Sequence, residues 1–273
     1  MAKVIWIGTS SGDGSWSTTS NWSGGAVPTT SDDVYFTAEY VGSVKAGLDQ
    51  SAIGLNSVTF DPGYTGNVGS TTAGYLQVTC SSFTYAGSGS YAYFDLGSGT
   101  IAPVINNTGS NRRGAYGVYL KGTGLTNVEV NGGLVQIGYP GDTCSASTLN
   151  ITAGTVLINE SGSITTINNY GGSVTSYTDV TTLNQYRGSY TMERAAALTT
   201  AHVESGNINL DSSGTITTLN LNGGMLTSLA GNDRTITTLN WKAGSSLSYF
   251  PANTTITNFS SPTEPILIQS TQL

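Results

Sequence analysis

Two carboxylates in this chain are placed so that they could act together. Glu193 and Asp211 each fall 13 residues after the first residue of a recurring unit, one starting at Val180 and the next at Leu198. If successive units stack as parallel strands, the two backbones come within about 5 Å. That is the order of separation at which one carboxyl of a retaining glycosidase serves as acid and the other as nucleophile. No aromatic-rich cleft and no further acids cluster around them in the sequence, so the expected role is that of turn residues splayed into water. His202 is the only histidine, and without a Ser or Cys motif around it a triad has no components. Cys80 and Cys144 lack a CxxC spacing and a histidine partner, which leaves them as buried free thiols. Gly87-Ser88-Gly89-Ser90 and Gly97-Ser98-Gly99 lack the Lys-Ser/Thr ending of a phosphate loop and are expected as turns. The sequence therefore predicts no enzyme, no catalytic residue, no cofactor and no metal.

What must position these residues is an internal repeat. Its clearest copies are Ile216-Thr217-Thr218-Leu219-Asn220-Leu221-Asn222-Gly223-Gly224 and Ile236-Thr237-Thr238-Leu239-Asn240-Trp241-Lys242-Ala243-Gly244. Further copies start at Leu125, Ala146, Ile164, Val180 and Leu198, and they place glycines at 133, 154, 172, 188 and 206. Steps of 16–21 residues between these glycines suit one coil of a β-solenoid. Equivalent positions then form ladders along the axis, each with a single environment. The column Val128, Leu149, Ile167, Leu183, Ala201, Leu219, Leu239 and Phe259 should face inward. The next column, Glu129, Asn150, Asn168, Asn184, His202, Asn220 and Asn240, should face outward, with its amides bonded rung to rung. A second inward column is expected in Val135, Val156, Val174, Tyr190, Ile208 and Leu226, broken at Ser246. The glycines should mark a corner of positive φ, the Thr pairs a second corner, and Ile256 the start of a partial last unit.

Composition agrees with an all-β chain. Only 9% of residues are charged, too few to give an amphipathic helix its polar face. The net charge of −7 is spread thinly with no basic stripe, so nucleic acid is not an expected partner. Arg112-Arg113, the one adjacent basic pair, is expected as a solvated loop tip. Neither a leader-like apolar stretch at the start nor a run of 18 apolar residues is present, so synthesis in the host cytoplasm and no membrane partner are expected.

The predicted fold is a right-handed parallel β-helix with coils of about 16–21 residues. Right-handedness follows from apolar offsets that do not match the hexapeptide rhythm of left-handed solenoids. Residues 1–50 are expected as a Trp-rich cap or attachment segment, 51–260 as the solenoid and 261–273 as an extended tail, with the less regular stretch 53–124 supplying further coils. The cap carries Trp6, Gly12-Asp13-Gly14-Ser15-Trp16, Asn21-Trp22-Ser23-Gly24-Gly25, Val27-Pro28 and Asp32-Asp33.

This opening segment resembles the Trp-rich start of many bacterial and phage β-helical surface proteins. The resemblance covers about 35 of the 273 residues. It implies a surface or virion role, and the missing leader and anchor of the autotransporter-like members point to a phage virion component. By analogy the expected function is a capsid decoration or cement protein, working as a homotrimer on the major capsid protein at the virion surface. Two alternatives stay open. One is a tail-associated protein that binds or cleaves a host glycan, with Tyr177, Tyr186, Tyr190 and Tyr249 as stacking groups. The other is a fragment of a bacterial adhesin.

Overall fold

The computed structural model describes residues 2–107, 117–228, 232–248 and 253–261. Arg112-Arg113, Tyr249 and the tail from Pro262 onward lie outside the described residues. Within them the chain is all β, a parallel β-solenoid of about 11 turns, with two short 3-10 segments at Thr19–Asn21 and Ser23–Gly25 as its helical content. No helix among the described residues is long and apolar enough to cross a membrane. The chain divides into two compact units, residues 1–147 and 148–273.

In the second unit two strands form each coil, and the repeat read from the sequence sets their register. Ile167 pairs with Leu183, Leu183 with Ala201, Ala201 with Leu219, Leu219 with Leu239 and Leu239 with Phe259. All of these are fully buried except Phe259, which is 47% exposed in the last described strand. Across the coil, Val156, Val174, Tyr190, Ile208 and Leu226 form the second inward ladder. The expected break at Ser246 is repaired in three dimensions. Leu226 pairs with Leu247, because the preceding turn holds one extra residue and slides the strand by one.

Thr217 and Thr218 lie inside the strand Ile216–Leu221 rather than in a connection between strands. Both turn outward between buried Ile216 and Leu219, and Thr217 has no rung partner. Two successive outward residues break the alternation, so the strand bends there without ending. Six of the seven repeat glycines have positive φ: Gly133, Gly154, Gly188, Gly206, Gly224 and Gly244. Gly172 does not, since the Asn169 side chain makes that turn by accepting from the Gly171 and Gly172 N–H groups.

The first unit stacks in the same parallel sense from its first strand. Val4, Val34, Val58 and Phe83 form one buried ladder, and Phe36, Phe60, Tyr85, Ile105 and Val130 another. Its coils are longer than the 16–21 residues expected. Hydrogen bonds between rungs join residues 23–25 apart, as in Asn56 to Asp33, Asn67 to Ser43 and Asn131 to Asn106. Register shifts between Gln50 and Gly54 and between Ile105 and Asn106 absorb irregular lengths.

The Trp-rich segment belongs to these coils and makes an aromatic cluster near the N-terminus. Trp22 packs edge-on against Trp6 at 5.0 Å and Trp16 at 4.7 Å, and Phe36 stacks on Phe60 at 4.1 Å. Their polar atoms are satisfied internally, with Trp6 Nε1 donating to Gly42 O, Trp22 Nε1 to Trp16 O and the Tyr64 hydroxyl to Gly42 O. The aspartates of the motif fix the turns around the rings. Asp13 accepts from Ser15 N, Thr18 Oγ1 and Asn21 Nδ2. Asp32 accepts from Ala2 N and from both the N–H and the hydroxyl of Thr29.

Candidate ligand-binding surfaces

The chemistry-bearing residues of the second unit lie on outward ladders. The predicted amide column forms: Asn168 Nδ2 donates to Asn150 Oδ1, Asn184 Nδ2 to Asn168 Oδ1 and Asn240 Nδ2 to Asn220 Oδ1, each at 2.8 Å. His202 replaces one rung, and its Nδ1 lies 3.3 Å from Asn220 Nδ2. Strand register brings these residues to one line, and the bend at the Thr pairs turns them half out of the core. Two positions further along each strand, where the chain turns, a second outward column follows: Tyr170, Tyr186, Glu204, Asn222 and Lys242. Tyr170 and Tyr186 are 45% and 41% exposed and stack face to face at 4.9 Å. Asn222 Nδ2 donates to Glu204 Oε1.

Between these columns, at the end near the last described strand, lies an open groove of about 870 Å³. It is lined by His202, Asn220, Asn240, Trp241, Lys242 and Ser260. Trp241 continues an otherwise aliphatic buried column, Val203 then Leu221, yet stands half out of it. Its indole N–H is tied to Ser245 O at 3.2 Å.

Glu193 and Asp211 are paired across adjacent rungs, as their spacing predicts. Each carboxyl has a partner of its own. The Tyr177 hydroxyl donates to Glu193, and burial followed by this carboxylate pushes the phenol pKa up. Asp211 accepts from Asn232 Nδ2. Arg194 lies 4.3 Å over the Tyr177 ring and pairs with Glu160. Tyr190, one of the candidate stacking residues, is wholly buried in the inward ladder and has no face to offer a ligand. Tyr177 is half-buried under Arg194, so of the described candidates Tyr186 alone is openly exposed.

The first unit carries a cluster that reading the repeat alone passes over. Tyr93 and Tyr119 sit on neighbouring rungs and stack at 4.1 Å, with Tyr75 and Tyr139 edge-on at 5.4 and 6.1 Å. Beside them Lys121 bridges Asp95 at 3.5 Å and Asp142 at 3.4 Å, and the Tyr75 hydroxyl donates to Asp142 at 2.7 Å. Burial and then the Asp142 hydrogen bond push the Tyr75 phenol up. For Lys121 burial works downward, but Asp95 and Asp142 together outweigh it and raise the ammonium pKa. The lysine is thus a built-in counter-ion for the two acids, and the cluster is internally neutralised. Only a coil period near 24 residues, obscured in the sequence by bulges, would have aligned these tyrosines.

Cys80 is half-buried and Cys144 buried, both as free thiols whose pKa burial pushes up to about 12. At neutral pH they are protonated and poor nucleophiles. Among the described residues no group of three or more His, Cys, Asp or Glu side chains is placed to hold a metal ion.

No family model matches the chain, and neither does any curated protein or solved structure.

Proposed function

We propose that this chain is a structural protein of a phage virion, a capsid decoration or cement protein that binds the major capsid protein at the outer surface as a homotrimer. The observation that carries this reading is the construction of the motif-bearing segment. The residues that resemble the start of phage β-helical surface proteins form one aromatic, internally hydrogen-bonded block, in register with the sheet from its first strand. Such a block, followed by coil after coil of closed ladders, resists local opening, which suits a part that reinforces a shell. The pair with glycosidase-like spacing supports the same reading, because Glu193 and Asp211 are each occupied by a separate neighbour.

The test is reconstitution. Purified chain mixed with expanded empty capsids of the phage that encodes it should co-sediment to saturation, sediment alone as a trimer, and raise the temperature at which the shells rupture. Chain that stays in the supernatant at micromolar concentration overturns the proposal.

A further inference from the structure

The outward face of the second unit holds features that shell binding does not require. Each ladder amide uses one N–H and one oxygen lone pair on its neighbour, which leaves a second N–H and a second lone pair for a ligand. These groups are already fixed by their rungs, so little side-chain entropy remains to be lost on binding. At the groove the amides meet the half-exposed indole of Trp241. Three of the four tryptophans are buried in the first unit at 0–1% exposure, and Trp241 alone is placed to meet solvent.

We propose that this groove binds an uncharged oligosaccharide laid along the Asn ladder, with one sugar ring stacked on Trp241. Sugar hydroxyls both donate and accept, as carboxamides do, and the apolar face of a pyranose suits an indole. The lining holds one permanent charge, Lys242, and no carboxylate, which is poor provision for phosphate or a polyanion. From His202 to Ser260 the groove spans four rungs, about 14 Å at the usual strand spacing, room for about three or four sugar rings. Its volume of about 870 Å³ lies within the range of small-ligand sites. The inference stands apart from capsid binding, since neither activity needs the other.

The experiment is a titration of the intact chain with cello-, malto-, laminari- and mannopentaose, followed by tryptophan emission and calorimetry. At least one pentaose should shift the emission saturably, with a matching heat. Trp241→Leu, which continues the Val203–Leu221 column with an aliphatic side chain, should keep the thermal midpoint and lose binding roughly tenfold or more. Asn240→Ala should weaken binding several-fold. If either variant fails to fold, Lys242→Ala at the exposed rim decides instead: affinity should stay within about twofold for an uncharged ligand. No response to any pentaose, unchanged affinity in Trp241→Leu, a tenfold loss in Lys242→Ala, or preference for an anionic glycan or a peptide would each overturn the proposal.

Discussion

The two units solve one stacking problem with different fillings. In residues 1–147 each coil advances by about two dozen residues and its interior is packed with rings: Trp6, Trp16, Trp22, Phe36, Phe60, Tyr64, Phe83, Tyr85 and Phe94 are all essentially inaccessible. In residues 148–273 the rungs lie 16–20 residues apart, and the interior is mainly Val, Leu and Ile. A longer coil encloses a wider cross-section, and interiors must be filled to near-crystalline density. Large aromatics fill the wide coils and branched aliphatics the narrow ones. The second unit also buries Asn169, Gln185, Ser176, Ser212, Ser228 and Arg234. These satisfy turn backbone rather than fill space: Asn169 Nδ2 reaches Gly172 O and Ser189 O, and Arg234 donates to Leu210 O and Ser228 Oγ. The narrow coil turns more tightly, and its corners carry backbone groups that side chains must meet from inside.

The comparison can be broken where the fillings differ most. Phe36 touches Trp6, Trp16, Trp22, Phe60 and Tyr64. Phe36→Ala should cost about 3–5 kcal/mol, and Leu219→Ala in the narrow coil about 2–3, because less of a ring-sized cavity can collapse. Denaturant unfolding of both variants checks this, and equal losses would show that coil width does not set the filling.

A smaller effect is expected at the glycine corners. Gly206 has φ +80, and a Cβ there would lie 2.3 Å from Gly188 O on the adjacent rung. Gly24 has φ +81 with nothing within 4 Å. Gly206→Ala should cost about 2–3 kcal/mol, the φ penalty plus a clash with backbone, and Gly24→Ala about 1, the φ penalty alone. Thermal midpoints separate the two contributions.

The least effect near neutrality, and a growing one in acid, belongs to the first unit's turns. Hydrogen bonds hold the Asp13, Asp32 and Asp33 carboxyls below the ordinary value of 3.8, chiefly those from Ser15 N, Thr29 N and Ser57 Oγ respectively. Because the folded values are depressed, their stabilisation is fully present above about pH 4 and is lost as pH falls through the folded values below it. The midpoint should be flat from pH 7 to 5 and decline below 4. Asp13→Asn should make that decline shallower, and hydrogen exchange should place the first loosening around residues 13–33.

Much of the second unit could be read before any coordinates. One environment per column forces one class of residue at each offset, so Leu183, Leu219 and Leu239 declared an inward ladder and the asparagines beside them an outward one. His202 could be placed on that outward line for the same reason. The first unit was opaque because its ladders mix Val with Phe and Phe with Tyr and Ile, and because bulges shift the spacing. At the groove, the amide column was legible and the role of Trp241 was not: by offset it is the equivalent of buried Leu221.

By itself the sequence determined the parallel stacking, the composition of each column and the turn glycines of residues 125–260, since these depend on residue class at a fixed spacing. Tertiary structure alone decided the aromatic brace around Phe36, the tyrosine and Lys121 cluster, the slip that seats Leu247, and the emergence of Trp241 beside the amides. Those depend on cross-section, on residues far apart in the chain with no common interval, and on where the stack of coils lets a side chain meet water.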